Sequence, residues 1–294
     1  MFLPPKPRRS ILYMPGSNMR ALEKGKTLPA DGLILDLEDS VAPEAKALAR
    51  TQVRDALTRG GYGNRELVVR VNALDTPWGE DDLTAVAGLE GPSGPDAVLI
   101  PKVENAAMLS DVLACLERAG GAGNLAVWTM METPKGILNA QEIAFSSPRL
   151  GALVMGTSDL AKDLHCAHTR DRLPLAASLG LCLLAGRAAG LSVIDGVFLD
   201  LDDDEGFRHA CKQGRDFGFD GKTLIHPKTI EAANAAFAPS PGEVAWSQKV
   251  IAAHAEAERQ GQGVTVLDGK LVENLHVENA RRLVALAQAI EGLR

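Results

Sequence analysis

The sequence predicts a (β/α)8 barrel carrying a C-terminal helical arm. Three observations point there. Eight short apolar runs recur along the chain, each continuous rather than alternating, as strands buried on both faces of a parallel sheet require. A helical pattern follows each run. The repeats together span roughly 235 residues, close to the roughly 250 typical of such barrels. The rival, a doubly wound open sheet, favours a GxGxxG first turn, and the first run ends in "MPGSNM" instead.

The runs come in the order "SILYMPG", "GLILDLED", "LVVRVN", "AVLIPK", "LAVWTMMETP", "ALVMGTSD", "SVIDGVF" and "GKTLIHP". Between the second and third, residues 43–57 open with Pro43, suited to a first helical turn, and read as a helix. Residues 104–118 place Leu109, Val112, Leu113 and Leu116 on one helical stripe. We assign residues 1–238 to the barrel and 239–294 to a C-terminal extension. The extension starts with Ser240 as cap, Pro241 in the first position and Glu243 closing a capping box, and its helix runs to about Gln260. Two extended pieces then flank the turn Asp268-Gly269. A last helix, about 276–291, carries Val277, Ala280, Val284 and Ala287 on one stripe. This extension is too small for a domain and reads as an arm packed on the barrel or on a neighbouring subunit.

Composition narrows the function. The 294 residues carry a net charge of −7 with both signs interspersed, which argues against a nucleic-acid surface. No apolar run is long enough for a membrane span or a signal peptide. Cys115, Cys166, Cys182 and Cys211 form no CxxC pair and read as reduced thiols of a cytoplasmic protein.

Barrels of this kind place their chemistry at the C-terminal ends of the strands. Those ends carry Asp36, Glu38 and Asp39, then Arg70 and Asn72, Lys102, Glu132, Gly156 with Asp159, Asp195, and His226. Glu132 and Asp159 lie just past adjacent strands, which are about 4.8 Å apart, so both carboxylates can meet on one ion. All-oxygen ligands favour Mg2+ or Mn2+ over Zn2+. The bland alternative is a pair of capping or salt-bridged acids, and spacing alone leaves both open. Arg70 ends an apolar strand and stays charged, which suits a carboxylate or a developing oxyanion. It also suits an internal ion pair with Glu38 or Asp39, and the two roles are compatible. Lys102 carries the same two readings, with the structural one favoured.

The cluster "HCAH" offers softer ligands in His165, Cys166 and His168. A zinc site needs three or four ligands in fixed geometry, and so short a stretch presents at most two to one ion. We read it as a loop on the substrate side. No GxSxG elbow is present, and Ser158 has no histidine placed to activate it. His226, before Pro227, reads as a helix cap.

Taken together, "RSILYMPGSNMRALEKG", "LILDLEDSVAPEAK", "VVRVN", "IPKVE", "METPKGILNA", "VMGTSDLAKDL" and "GFDGKTLIHPKTI" resemble the citrate lyase β-subunit-like proteins of the HpcH/HpaI aldolase superfamily. The resemblance covers nearly the whole chain, with the motifs in order. It implies a (β/α)8 barrel acting on CoA thioesters of short hydroxy-diacids: malyl-CoA, methylmalyl-CoA, citramalyl-CoA, or a carrier-bound citryl group. It implies Mg2+ (or Mn2+) on Glu132 and Asp159, with Arg70 on the thioester oxygen. Glu38, Asp39 and Lys102 then support the site or touch substrate. Arg20 and Lys24 become candidate contacts for the CoA phosphates. It also implies homotrimers or hexamers in which the arm of one subunit covers the site of the next.

One departure matters. The family's malyl-CoA lyases carry a catalytic aspartate in the arm, where this chain has Glu273 within "DGKLVENLH". The extra methylene moves the carboxylate by about 1.5 Å, and a displacement of about 1 Å can cost about a hundredfold in rate. "DTPWG", "GLCLLAGRAAGL" and the arm stretch are similar to the branch that hydrolyses malyl-CoA. Thioester hydrolysis is therefore the expected reaction, with Glu273 as arm acid or base. Carbon–carbon cleavage, a carrier-dependent subunit and a non-catalytic CoA-thioester sensor are the alternatives.

Overall fold

The computed structural model describes residues 6–89, 94–121 and 125–293. The chain divides into two compact units, Arg8–Phe237 and a second built on the segment beginning at Ala238.

In the first unit all eight apolar runs form strands: β1 Ser10–Pro15, β2 Gly32–Asp36, β3 Glu66–Arg70, β4 Ala97–Ile100, β5 Ala126–Met131, β6 Leu150–Met155, β7 Ser192–Asp195 and β8 Gly221–Leu224. They pair in parallel in sequence order and close into a barrel, with β1 also bonded to β8. Helices follow the strands: α1 Met19–Gly25, α2 Lys46–Arg59, α3 Gly79–Ala87, α4 Ala106–Arg118, α5 Pro134–Leu138, α6 Ala140–Ala144, α7 Thr157–Asp163, α8 Ala176–Ala188, α9 Asp204–Phe217 and α10 Ile230–Phe237.

Both strand faces are apolar because each serves a different core. Leu12, Leu33, Leu35, Val69 and Val98 face the helices. Ile11, Ile34, Val68, Leu99, Trp128, Val154 and Ile194 fill the barrel interior. Each such side chain contributes about 1.5–3 kcal/mol on burial. Arg8 Cζ lies 4.8 Å from the Trp128 ring centre, and Arg8 also forks onto Glu66 at 2.7 and 2.8 Å.

Two expected helices start differently. The segment from Pro43 begins as a 3-10 turn, Pro43–Ala45, before α2 starts at Lys46. The Lys46 ammonium turns inward onto Leu37 O, Glu38 O and Asn72 Oδ1, which fixes that join. His226 does cap a turn, its Nδ1 accepting from Lys228 N at 3.1 Å.

The second unit holds α11 Pro241–Arg259, the hairpin β9 Thr265–Leu267 and β10 Lys270–Val272, and α12 Asn274–Glu291. The Ser240–Glu243 capping box is present. Asp268 and Gly269 both have positive φ, 47° and 77°, the geometry of a tight hairpin turn. Helix α12 starts at Asn274, earlier than the stripe predicts, because His276 caps it: Nδ1 accepts from Glu273 N at 3.1 Å. Val250, Val272, Val277 and Ala280 form this unit's own apolar cluster.

Candidate active site at the barrel mouth

Strand alternation builds the site. Ile34, Val68, Met130 and Val154 look into the barrel. Two residues further along, the same inner face presents Asp36, Arg70, Glu132 and Gly156. The polar site is the next inward-facing layer above an apolar one. Asp36 and Arg70 stand opposite each other in register across β2 and β3.

Arg70 is the hub. Its Nε and NH2 each donate to Asp36 at 2.7 Å, a fork onto one buried carboxylate. NH1 donates to Asp39 Oδ2 at 3.3 Å. NH1 also lies 2.8 Å from Glu38 Oε2, but off the hydrogen-bond direction, so that buried oxygen has charge contact without a directed donor. Burial alone would lower the Arg70 pKa; the hydrogen bonds and charge of Asp36 outweigh it and hold the guanidinium charged. The expected ion pair with Glu38 and Asp39 is present, but Asp36 is the principal partner.

Lys102 links this cluster to the next strand. Its Nζ donates to Glu38 Oε1 at 2.8 Å, and its backbone N–H donates to Glu132 Oε1 at 2.8 Å. To do both it adopts φ +51°, a left-handed conformation that ordinary side chains avoid. Burial opposes its charge, but the Glu38 hydrogen bond prevails and pushes its pKa up to about 12.

Glu132 is 2% exposed. Its Oε1 is satisfied by Lys102, while no described residue donates to Oε2. Burial is the main reason its pKa rises to about 7; the Lys102 N–H opposes this, and the charges of Glu38 and Asp159 add to it. Gly156 is glycine for space: a Cβ there would sit 2.3 Å from Glu132 Oε2. Asp159 follows on the first turn of α7, partly exposed, with Lys162 Nζ at 3.3 Å. Arg70 and Lys102 are outnumbered by the carboxyl groups of Asp36, Glu38, Asp39, Glu132 and Asp159. Among the described residues no group of three His, Cys, Asp or Glu side chains forms a metal cage. A buried glutamate with one oxygen free of donors, a second carboxylate within electrostatic reach and an acidic surplus fit a hard divalent cation that keeps its waters.

A sequence model of the HpcH/HpaI aldolase/citrate lyase family matches residues 9–227. The chain belongs to that family. Among relatives of this HpcH/HpaI member, a (3S)-malyl-CoA thioesterase from Cereibacter sphaeroides is 53% identical over 288 residues, 98% of this chain and 97% of the relative. The citrate lyase subunit beta of Escherichia coli K12 is 36% identical over 295 residues, 98% and 95% of the two chains. The structure of CitE from Mycobacterium tuberculosis in complex with magnesium, acetoacetate and coenzyme A is 29% identical, with a TM-score of 0.75 over 95% of this chain and 97% of that one.

The HpcH/HpaI barrel thus brings Glu38, Asp39, Arg70, Lys102 and Glu132 together, and the charge of Asp159 lies within electrostatic reach of Glu132. The other candidates have different surroundings. Arg20 and Lys24 are exposed on α1, with no ion pair among the described residues. Glu273 belongs to the second unit and is half-buried at the start of α12. His165 and His168 are exposed past the end of α7 and, with half-buried Cys166, form no cluster. Asp195 is fully buried and neutralised by Lys222 at 2.9 Å and Arg172 at 2.6 Å, so it is structural. The sequence reading missed Asp36 as partner of Arg70, and it missed Tyr13. The signal for both was the register: each shares the inward face with residues already singled out.

Proposed function

We propose that this protein is a Mg2+-dependent enzyme that hydrolyses a short hydroxy-diacid CoA thioester such as (3S)-malyl-CoA. The observation that carries it is Glu132, a buried carboxylate with one oxygen left without a donor and the Asp159 charge within electrostatic reach, in a chain 53% identical to a (3S)-malyl-CoA thioesterase. The magnesium-bound relative supports the choice of ion. Mn2+ would suit the same oxygens.

Glu132 and Asp159 would hold the ion, which supplies Lewis-acid binding of the substrate's hydroxyl and distal carboxylate oxygens. Arg70 spends two N–H groups on Asp36 and retains others for the thioester oxygen. Its charge stabilises the oxyanion that forms when water attacks the thioester carbon. Asp36, Glu38 and Lys102 keep the guanidinium in place. Glu273, carried on the arm of a neighbouring subunit in a homotrimer or hexamer, takes the proton from that water; the oxyanion then collapses, the carbon–sulfur bond breaks, and the proton passes to the departing CoA sulfur. Exposed Val266, Leu271 and Leu275 around the hairpin support such docking. Arg20 and Lys24 meet the CoA phosphates. The four free cysteines support a cytoplasmic setting, and no helix among the described residues is long and apolar enough to cross a membrane.

The citrate lyase relative supports a second reading on the same pocket. There the substrate hydroxyl loses its proton, the carbon–carbon bond breaks to leave glyoxylate, and Arg70 stabilises the departing acetyl-CoA enolate, which Glu273 protonates. The test of the site is thiol release from malyl-CoA with Mg2+. It should stop with EDTA and in Asp159→Ala, and persist with unchanged metal dependence in His168→Ala. Full Mg2+-dependent release by Asp159→Ala would overturn the site.

A further inference from the structure

Tyr13 sits beneath the guanidinium. It shares the inward face of β1 with Ile11 and packs on the interior cluster. Asp36 and Arg70 form the layer above. Arg70 Cζ lies 4.8 Å from the centre of the Tyr13 ring, a cation–π contact. The ring therefore floors the site where charged mouth meets apolar core.

The phenol reaches across the barrel. Tyr13 Oη donates to Met130 Sδ at 3.4 Å. Met130 precedes Glu132 by two residues on the same face of β5, so the O–H lies under the carboxylate side of the site. A thioether sulfur is a weak acceptor, and a phenol in such a place ordinarily finds a better one. Tyr13 also keeps partial exposure, while its neighbours Leu12 and Met14 are 0% and 4% exposed. Packing alone explains the ring and leaves the hydroxyl without a purpose.

We propose that Tyr13 is a further binding residue of this site: its ring holds the Arg70 guanidinium, and its O–H leaves Met130 to donate to the acyl oxygen of the bound thioester. This assignment rests on the thioester reading above. The donor is neutral at working pH. Burial raises the phenol pKa most; Arg70 opposes it, and Asp36, Glu132 and Glu38 add to the rise. Arg70 and Tyr13 would then share one developing negative charge from two sides.

Tyr13→Phe separates ring from hydroxyl. It keeps the platform under Arg70 and removes the donor. Losing one oxyanion donor can cost about 100- to 1,000-fold in kcat; with Arg70 still present we expect a loss of about 10- to 100-fold. The fall in kcat should exceed the rise in KM, with KM up by no more than about tenfold and the melting temperature near wild type, a split that loss of packing would not give. Tyr13→Leu, which also removes the platform, should fall further. Tyr13→Phe with kcat within twofold of wild type would overturn the proposal. If wild type releases no thiol from malyl-CoA, the hydrolytic reading fails alone. The phenol is then tested by calorimetric titration with malyl-CoA and Mg2+. Binding about 5- to 10-fold weaker in Tyr13→Phe supports the contact, and equal affinity, or no binding by either protein, overturns it.

Discussion

Glu132 shows how one residue couples chemistry to stability. Its folded pKa of about 7 lies above the ordinary 4.5 because the carboxyl is buried. The metal-free folded protein thus binds this proton more tightly than the unfolded chain does. Stability from this group is fully present below about pH 4.5 and lost as pH rises through about 7. In EDTA, the melting temperature of wild type should fall relative to Glu132→Gln between pH 5 and 7.5, by several degrees. Saturating Mg2+ should shrink that gap, because the ion replaces the missing donor. A gap independent of pH would show that the carboxylate ionises there without penalty.

Lys102 makes the corresponding point for an element, the end of β4. A left-handed backbone costs an ordinary residue about 1–2 kcal/mol, and glycine escapes that cost. Elsewhere glycine is less stable than alanine. Here Lys102→Gly should match or exceed Lys102→Ala by up to about 1 kcal/mol in urea unfolding, and both should lose activity with the Glu38 contact. Lys102→Ala clearly the more stable would mean the turn is unstrained. At this scale the sequence was legible in part. Continuous apolar runs gave all eight strands, since a parallel strand buried on both faces has no alternation to hide. For the same reason they could not say which face looks inward, so Tyr13 stayed hidden and Asp36, visible at its strand end, was not matched to Arg70. The convergence of Glu38, Arg70, Lys102 and Glu132 was legible because charged groups at strand ends are conspicuous in apolar surroundings. The φ of Lys102 and the inward turn of Lys46 depend on tertiary hydrogen bonds with no local signature.

For the whole molecule, the proposed role of Glu273 places the arm in trans. Asp159→Ala and Glu273→Gln should each be inactive alone. Mixed and reassembled, they should regain activity at about a quarter of the sites, where an intact barrel meets an intact neighbouring arm. No recovery would confine Glu273 to its own subunit or exclude it from the site. The central claim is hydrolysis on a divalent-ion site, and one product analysis tests it most directly. Malyl-CoA and Mg2+ are incubated with the protein, with and without EDTA, and malate, free CoA, acetyl-CoA and glyoxylate are all measured. Malate and free CoA should form in equal amounts, abolished by EDTA, without glyoxylate. Acetyl-CoA with matching glyoxylate would contradict hydrolysis and make Glu273 a working acid in carbon–carbon cleavage.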